Sequence, residues 1–402
     1  GDLIASRKYE FAAWQTFEAG KNWGEAEADV AEAIDFCHYY AHQALAMAEP
    51  VPVHEYPGER NESWLQPIGA GAVIPPWNFP LAILAGMTIG PVAAGNTVVL
   101  KPASNTPMVG WGFMRAVADA GFPPGVINFV PGSGSAIGDH LVDHPKIRFV
   151  NFTGSKEVGL RIAQRAAVVH PGQRWLKRAY MEMGGKDALI VDETADLEAA
   201  ASDAVRSAYG FQGQKCSACS RLIVVDSVHD ALLDLVVAKA AALEVGPAVD
   251  DVAVGPVISA AQQTSILEEI DRGRSEARLV LGGNRVDLAG GYFLEPTVFA
   301  DVAPGMRLAQ HELFGPVLSV LRVADFDEAI VVANGTEFGL TGGLHSQDEE
   351  RIARAKQEFH VGNLYINRKI TGALVGIQPF GGFNMSGSNA KAGGPDYLRL
   401  FM

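Results

Sequence analysis

The sequence predicts an α/β fold: two doubly wound parallel sheets, with a protruding hairpin at 51–68. Three observations carry this. Short β-branched runs alternate with helical patterns at βαβ spacing, first over 69–166 and again from Ala188 onwards. No charged residue occurs between Ser63 and Leu100, as expected of a segment buried inside such a sheet. Several strands end in small, glycine-rich or hydroxyl-rich turns that open helices, the place where open α/β sheets bind ligands.

Composition bounds the rest. The chain has 402 residues, 48% hydrophobic and 19% charged, enough for two or three domains with large cores. A net charge of −14 argues against general affinity for nucleic acid or anionic membrane. Pro67, Pro75, Pro76, Pro80 and Pro91 break the uncharged stretch too often for a spanning helix, which needs about 20 uninterrupted apolar residues. Three cysteines make no disulfide framework and no secretory signal is read at the start, so a cytoplasmic setting is expected.

In chain order, residues 6–20 and 26–49 read as helices. In the second, Val30, Ile34, Cys37, Ala41 and Leu45 make an apolar stripe, while Glu32, Phe36 and Tyr39 share another face. Pro50 and Pro52 end it, and 51–68 is extended with a turn at Pro57-Gly58. A strand at 69–74 follows, then a helix to Ala94, a strand at 97–100 and Lys101. A helix at 107–120, a strand at 126–130 and a helix at 134–142 opened by Gly132-Ser-Gly134 come next. The strand 147–152 runs through Thr153-Gly-Ser155 into a helix from Lys156. The second region has strands at 188–191, 221–225, 278–281, 292–299, 317–323, 340–345 and 363–367. Its helices are 195–211, 228–243, 259–272, 326–334 and 348–358.

Two short stretches carry chemistry. Cys216 and Cys219 lie in a run of small residues, with Lys215 adjacent, and a nearby cation favours thiolate. A nucleophilic Cys216, a dithiol pair, half a zinc site and two buried small residues are all compatible with that run. Glu182 stands between Met181 and Met183 ahead of Gly184-Gly185, and an apolar setting makes a carboxylate a better general base. None of the glycine turns is the G-x-G-x-x-G fingerprint.

Seven motifs, in order, resemble those of the aldehyde dehydrogenase superfamily. They are Pro76-Trp-Asn-Phe-Pro80, Lys101-Pro-Ala103, Phe152-Thr-Gly-Ser155, Glu182-Met-Gly-Gly185, Gly213-Gln-Lys-Cys216, Glu312-Leu-Phe-Gly-Pro316 and Pro379-Phe-Gly-Gly382. Pro57-Gly-Glu-Arg-Asn61, Phe211–Ser217 and Thr371–Gly382 are similar to its branch acting on L-glutamate 5-semialdehyde. The resemblance implies two Rossmann-like domains, with 1–50 and 69–183 binding NAD and 184–378 catalytic. It makes 51–68 an oligomerisation hairpin and 379–402 a segment returning to the first domain.

It further implies that Cys216 attacks the aldehyde, Asn78 stabilises the oxyanion and Glu182 activates water against the thioester. Lys101 and Glu312 would hold the two riboses, Ser155 the diphosphate, and Phe314 the nicotinamide ribose. Ile74, Pro76, Trp77, Ala103, Ser104, Gly134, Phe152, Thr153, Gly154, Met183 and Gly184 would complete the cofactor surface. Small Ser104 leaves NADP open beside NAD. Ser217 and the amides of Gly372 and Ala373 would hold the substrate carboxylate, Phe79 and Phe380 its aliphatic middle, and Glu32 its ammonium. No metal is expected, and a homodimer or higher homo-oligomer is. Another small aldehyde, or a silent member of the fold, is the alternative. Against the family's usual length the chain lacks an N-terminal segment and a C-terminal tail. Cys219 and Asn384 stand where alanine and lysine are usual.

Overall fold

The computed structural model describes residues 1–288 and 290–402. Its first sheet contains β1 (Ala70–Ile74), β2 (Thr97–Leu100), β3 (Ile127–Phe129), β4 (Phe149–Thr153) and β5 (Arg178–Glu182). All pair in parallel, in the order β3-β2-β1-β4-β5. β1 is central and buried along nearly its whole length, so its sequence is continuously small and apolar rather than alternating. β5 has no counterpart in the sequence reading. It is an edge strand with charged ends and weak alternation, so periodicity could not mark it.

The second sheet has the order β15-β14-β6-β7-β12-β11-β8. Its strands are β6 (Asp187–Val191), β7 (Cys219–Val225), β8 (Arg278–Leu281), β11 (Thr297–Ala300), β12 (Val317–Val323), β14 (Thr341–His345) and β15 (Asn363–Ile366). Only β8, at the edge, runs antiparallel. Two small ladders pair β9 (Arg285–Val286) with β10 (Phe293–Leu294), and β13 (Phe338–Gly339) with β16 (Phe383–Asn384). The expected strand 292–299 is therefore two strands. Pro296, which has no N–H to donate, separates β10 from β11.

Helices α1 (Asp2–Ser6), α2 (Lys8–Ala19), α3 (Trp23–Ala46), α4 (Ala82–Ala93) and α5 (Pro107–Asp119) share one core with the first sheet. α6 (Asp139–Asp143) and α7 (Lys156–Ala166) pack through Val142, Ile162 and Ala166 onto Ala72, Val150 and Phe152. α8 (Leu197–Tyr209) covers the second sheet beside Leu189 and Leu222. The chain ends by returning to the first sheet. Tyr397, Leu398 and Phe401 are buried there, with Tyr397 stacked on Tyr40 and Phe401 tilted against Phe149.

Two further expectations change. The stripe assigned to α3 is not its buried face, which is Ala26, Asp29, Val30, Ala33, Phe36 and Tyr40. Ile34 and Cys37 are half-buried, Ala41 is exposed and Leu45 is 74% exposed, because these positions turn away from the face that Phe36 and Tyr40 give to the core. The segment 51–68 forms no ladder. One bridge, Val51 to Ser63, closes a turn at Pro57-Gly58, and prolines and charges leave the arm extended. Asn384 adopts φ 53°, a left-handed conformation that asparagine tolerates better than lysine.

Candidate active site

The loop before Cys216 is held in an uncommon backbone conformation. Phe211, Gln212 and Gly213 have φ of 51°, 57° and 68°, and such a run persists only where its surroundings fix it. Gln212 Nε2 donates to the carbonyls of Gly20 and Pro256, both at 2.9 Å. Gln214 Oε1 accepts from Ile258 N at 2.9 Å, and Asn78 Nδ2 donates to Gln214 O at 3.0 Å. Asn78 is buried and this bond uses one of its two amide protons.

Lys215 does not serve Cys216 as expected. Its Nζ pairs with Glu25 of α3 at 2.7 Å, which ties the loop to that helix. The charges bearing on the Cys216 thiol are the carboxylates of Asp187, Glu312 and Glu182. Burial first, and then these three, hold it well above the usual thiol range, so the resting sulfur is protonated.

Cys216 opens onto a cavity of about 100 Å³ at the C-terminal edge of the first sheet. Glu182, at the end of β5, faces the same space. Burial raises its carboxyl to about 8. Its Oε1 accepts from Ala390 N at 3.2 Å, and its buried Oε2 has no protein partner among the described residues. The six expected substrate residues, Ser217, Gly372, Ala373, Phe79, Phe380 and Glu32, all line this cavity. Gly372 has φ 78°, so the turn presents its main chain to the cavity. Burial, reinforced by Asp29, raises Glu32 to about 8.

The cavity also has walls the sequence did not mark. Met87 contributes from α4 and Asn151 from β4, while Phe36 of α3, which the sequence set on one face with Glu32, lines the cavity beside it. Ala390, Ala392 and Tyr397 come from the C-terminal segment. No local signal could place these last residues beside Glu182, since only the returning chain brings them there. A second unmarked feature is a fully buried pair, Lys21 Nζ to Asp29 Oδ2 at 2.6 Å. The Lys21 ammonium lies 4.2 Å from the Phe79 ring centre and 5.0 Å from that of Phe211. Asp29, in the apolar face of α3, was the available signal.

The residues expected to hold a cofactor gather at the ends of the parallel strands. β1 ends at Ile74 before Pro76 and Trp77, β2 just before Lys101, and β4 at Thr153 before Gly154. Ser155 caps α7, accepting from Val158 N at 3.4 Å. Ile74 and Phe152 give their side chains to the core, so they offer mainly main-chain groups. Ala103 is half-buried and Ser104 exposed, its Oγ donating to Gly132 O at 3.4 Å. Gly134 is exposed at the start of a single π-turn. Thr153 and Met183 also reach the Cys216 cavity.

The fit to a dinucleotide rests on three features. Lys101 is buried, and its Nζ donates only to the neighbouring Pro102 O at 3.0 Å among the described residues. Glu312 Oε1 accepts from Gly185 N at 2.9 Å, with burial raising this carboxyl to about 7. At Gly184 a Cβ would lie 2.0 Å from the Glu312 carboxylate, so only glycine admits it. Phe314 stacks edge-on with Trp77, 5.5 Å between centres. A lysine and a carboxylate suit ribose hydroxyls, and the capped start of α7 suits a diphosphate.

All three cysteines are free. Cys219 begins β7 inside the second core and lines a separate small cavity, its thiol raised to about 12 by burial. Among the described residues no three His, Cys, Asp or Glu side chains are grouped to hold a metal. No described helix is long and apolar enough to cross a membrane.

Comparison with known proteins places the chain. The aldehyde dehydrogenase family profile matches residues 1–402. A protein of Geobacillus kaustophilus named 1-pyrroline-5-carboxylate dehydrogenase is 55% identical over 401 residues, 100% of this chain and 78% of that one. A Halalkalibacterium halodurans protein named 1-pyrroline-5-carboxylate dehydrogenase 2 is 52% identical, with the same coverage. Among solved structures, 1-pyrroline-5-carboxylate dehydrogenase from Thermus with bound NAD is 58% identical, with a TM-score of 0.99, over 100% of this chain and 78% of that one. Proline utilization A from Bdellovibrio bacteriovorus is 48% identical, with a TM-score of 0.98, over 100% of this chain and 42% of that one. A profile match along the whole chain, on the same two-sheet fold, leaves one conclusion: this chain belongs to the aldehyde dehydrogenase family.

Proposed function

We propose that the chain oxidises L-glutamate 5-semialdehyde, the open form of 1-pyrroline-5-carboxylate, to L-glutamate with NAD, a step of proline catabolism. One observation carries this beyond the family level: a single cavity joins Cys216 and Glu182 to Ser217, Gly372, Ala373 and Glu32. That cavity has one end for a carbonyl and another for an amino acid head group. The relatives named for this substrate support the same reading.

The buried Cys216 thiol gives its proton to solvent as its sulfur bonds to the aldehyde carbon. The second amide proton of Asn78 and the Cys216 main-chain N–H hold the developing oxyanion. NAD, when bound, supplies the hydride acceptor. Lys101 and Glu312 hold the riboses and Ser155 opens the diphosphate site. Glu182 then takes a proton from the water that releases the acyl group from Cys216. Gly372 and Ala373 amides with Ser217 hold the carboxylate, Phe79 and Phe380 flank the chain, and Glu32 meets the ammonium. Residues 1–50 and 69–183 then form the cofactor domain, which also lends Asn78 and Glu182 to the chemistry, and 184–378 the catalytic domain that carries Cys216. A cytoplasmic homo-oligomer goes with this reading, since the arm at 51–68 leaves Tyr56 and Trp64 65% and 53% exposed.

The test is NAD reduction, followed by absorbance, with 1-pyrroline-5-carboxylate beside a plain aliphatic aldehyde. Strong preference for the pyrroline, abolished in Cys216→Ala, is the expected result. Turnover of the plain aldehyde alone would remove the head-group assignment, and turnover surviving in Cys216→Ala would remove the nucleophile. Light scattering on a sizing column checks the oligomer.

A further inference from the structure

We propose that Lys391 is the positioning residue of Glu182: its ammonium staples the loop whose amide holds the carboxylate and sets a cation beside it. This rests on the reading of Glu182 as the base that hydrolyses the thioester.

The geometry is local and complete. Lys391 Nζ donates to the carbonyls of Gly362, at 2.6 Å, and Gly381, at 2.9 Å. It therefore joins the turn ahead of β15 to the segment that carries Phe380 into the cavity. Phe380 and Ala392 exchange main-chain hydrogen bonds of 2.9 and 2.8 Å and close the loop between them. Inside the loop, Asn389 and Lys391 both take left-handed backbone, with φ of 54° and 51°. Ala390 lies between them and donates its N–H to Glu182 Oε1 at 3.2 Å. Two left-handed non-glycine residues around one donor hold only when the surroundings fix them. The Lys391 side chain is a large part of that fixing.

The carboxylate sits directly against this loop. A Cβ on Gly381 would lie 3.1 Å from Glu182 Oε1 and 2.9 Å from Lys391 N. The other oxygen, Oε2, is left for a water. Three ionisable groups face Glu182: the Cys216 thiol, the Tyr397 hydroxyl and Lys391. Lys391 alone of them is a cation, and it favours the ionised carboxylate that a base must be. It also lines a shallow groove on the far side of Ala390 from the Cys216 cavity. Its charge thus reaches Glu182 without occupying substrate space.

Removing the ammonium takes away both supports. The loop is released, Ala390 N–H leaves Oε1, and the carboxylate keeps its proton to higher pH. The acylation half of the reaction does not use Glu182 as a water base and is spared. The slowed step is thioester hydrolysis, so acyl-enzyme builds up on Cys216.

The experiment compares Lys391→Met, Lys391→Gln, Lys391→Arg and Glu182→Gln in the full chain with NAD and 1-pyrroline-5-carboxylate. Steady-state kcat against pH is read together with the intact mass of acid-quenched enzyme. Lys391→Met is expected to lower kcat about tenfold or more and to move its acid limb up by about one pH unit, with the acyl adduct visible by mass. Lys391→Gln keeps donors for the two carbonyls but no charge, so it is expected to move the acid limb with a smaller loss of rate. Lys391→Arg is expected to restore the limb. If Glu182→Gln is crippled while Met and Gln variants keep the wild-type kcat and acid limb, Lys391 has no such role and the base reading stands. Wild-type hydrolysis in Glu182→Gln would overturn both. Should Lys391→Met not fold, the Gln and Arg variants decide alone.

Discussion

At the scale of single residues, burial rather than local charge governs the site. Lys215 stands next to Cys216 in sequence yet spends its charge on Glu25. Adjacent residues on an irregular loop point apart, so the step from neighbouring in sequence to neighbouring in space failed there. Glu32 is the clearest case of a group tuned by its surroundings. Burial, Asp29 and Asp35 push its proton affinity up, while Lys21 and Lys215 pull it down, leaving it at about 8. Below that pH the unliganded side chain is a neutral acid, whereas an ammonium pairs with the carboxylate. Substrate binding must then displace a proton. The expected outcome is a KM for the semialdehyde that falls as pH rises towards 8 and levels off above it, by about tenfold per pH unit at the limit. Glu32→Gln should have a higher KM above pH 8 and no such slope. Parallel pH series of the two proteins check this, because the pH-dependent opening of the pyrroline cancels in their ratio. A slope identical in both would remove Glu32 from the head-group site.

At the scale of elements, what was legible was local. The strand ends at Ile74, Leu100 and Thr153, with the turns after them, follow from composition and punctuation over a few residues. What was not legible depended on partners. β5 exists because β4 offers it an edge, and β10 parts from β11 at one proline. On α3 the apolar stripe misled because the true buried face contains Asp29. That aspartate accepts from Ala82 N at 2.7 Å, at the start of α4, and from the fully buried Lys21. One carboxylate thus joins two helices and a cation beside the Phe79 ring. Asp29→Ala leaves the ammonium without its counterion in the core and is expected to destabilise by about 3–5 kcal/mol. The double variant Lys21→Met/Asp29→Leu removes both charges and should recover much of that loss. Urea or thermal unfolding of the three proteins measures it, and additive losses would mean the pair is not coupled.

At the scale of the whole molecule, the cavity exists because distant stretches converge on the C-terminal edge of the first sheet. Glu32, Phe79, Glu182, Cys216, Gly372 and Tyr397 span most of the chain, yet all face one space of about 100 Å³. The closing element is the last turn. Phe401 is fully buried among Phe149, Tyr180 and Tyr397, and its carbonyl accepts from Asn96 Nδ2 at 2.9 Å. Asn151 of β4 donates to the Tyr397 hydroxyl at 2.9 Å, so the strand that ends at Thr153 is tied to the same turn. The C-terminal turn therefore belongs to the first sheet's core, although β15, upstream of it, is an edge strand of the second sheet. Phe401→Ala opens a cavity in that core and is expected to cost about 3–5 kcal/mol of stability. The effect should reach the site, since Tyr397 both packs on Phe401 and lines the catalytic cavity. The expected pattern is a lower melting temperature together with a raised KM for the semialdehyde. The reactivity of Cys216 towards a small alkylating agent should be nearly unchanged, because the loop that holds it is anchored on Gly20, Pro256 and Ile258 instead. Calorimetry, kinetics and alkylation rates on the one variant test all three. Alkylation altered as strongly as KM would show that the nucleophile loop and the C-terminal turn are one mechanical unit rather than two.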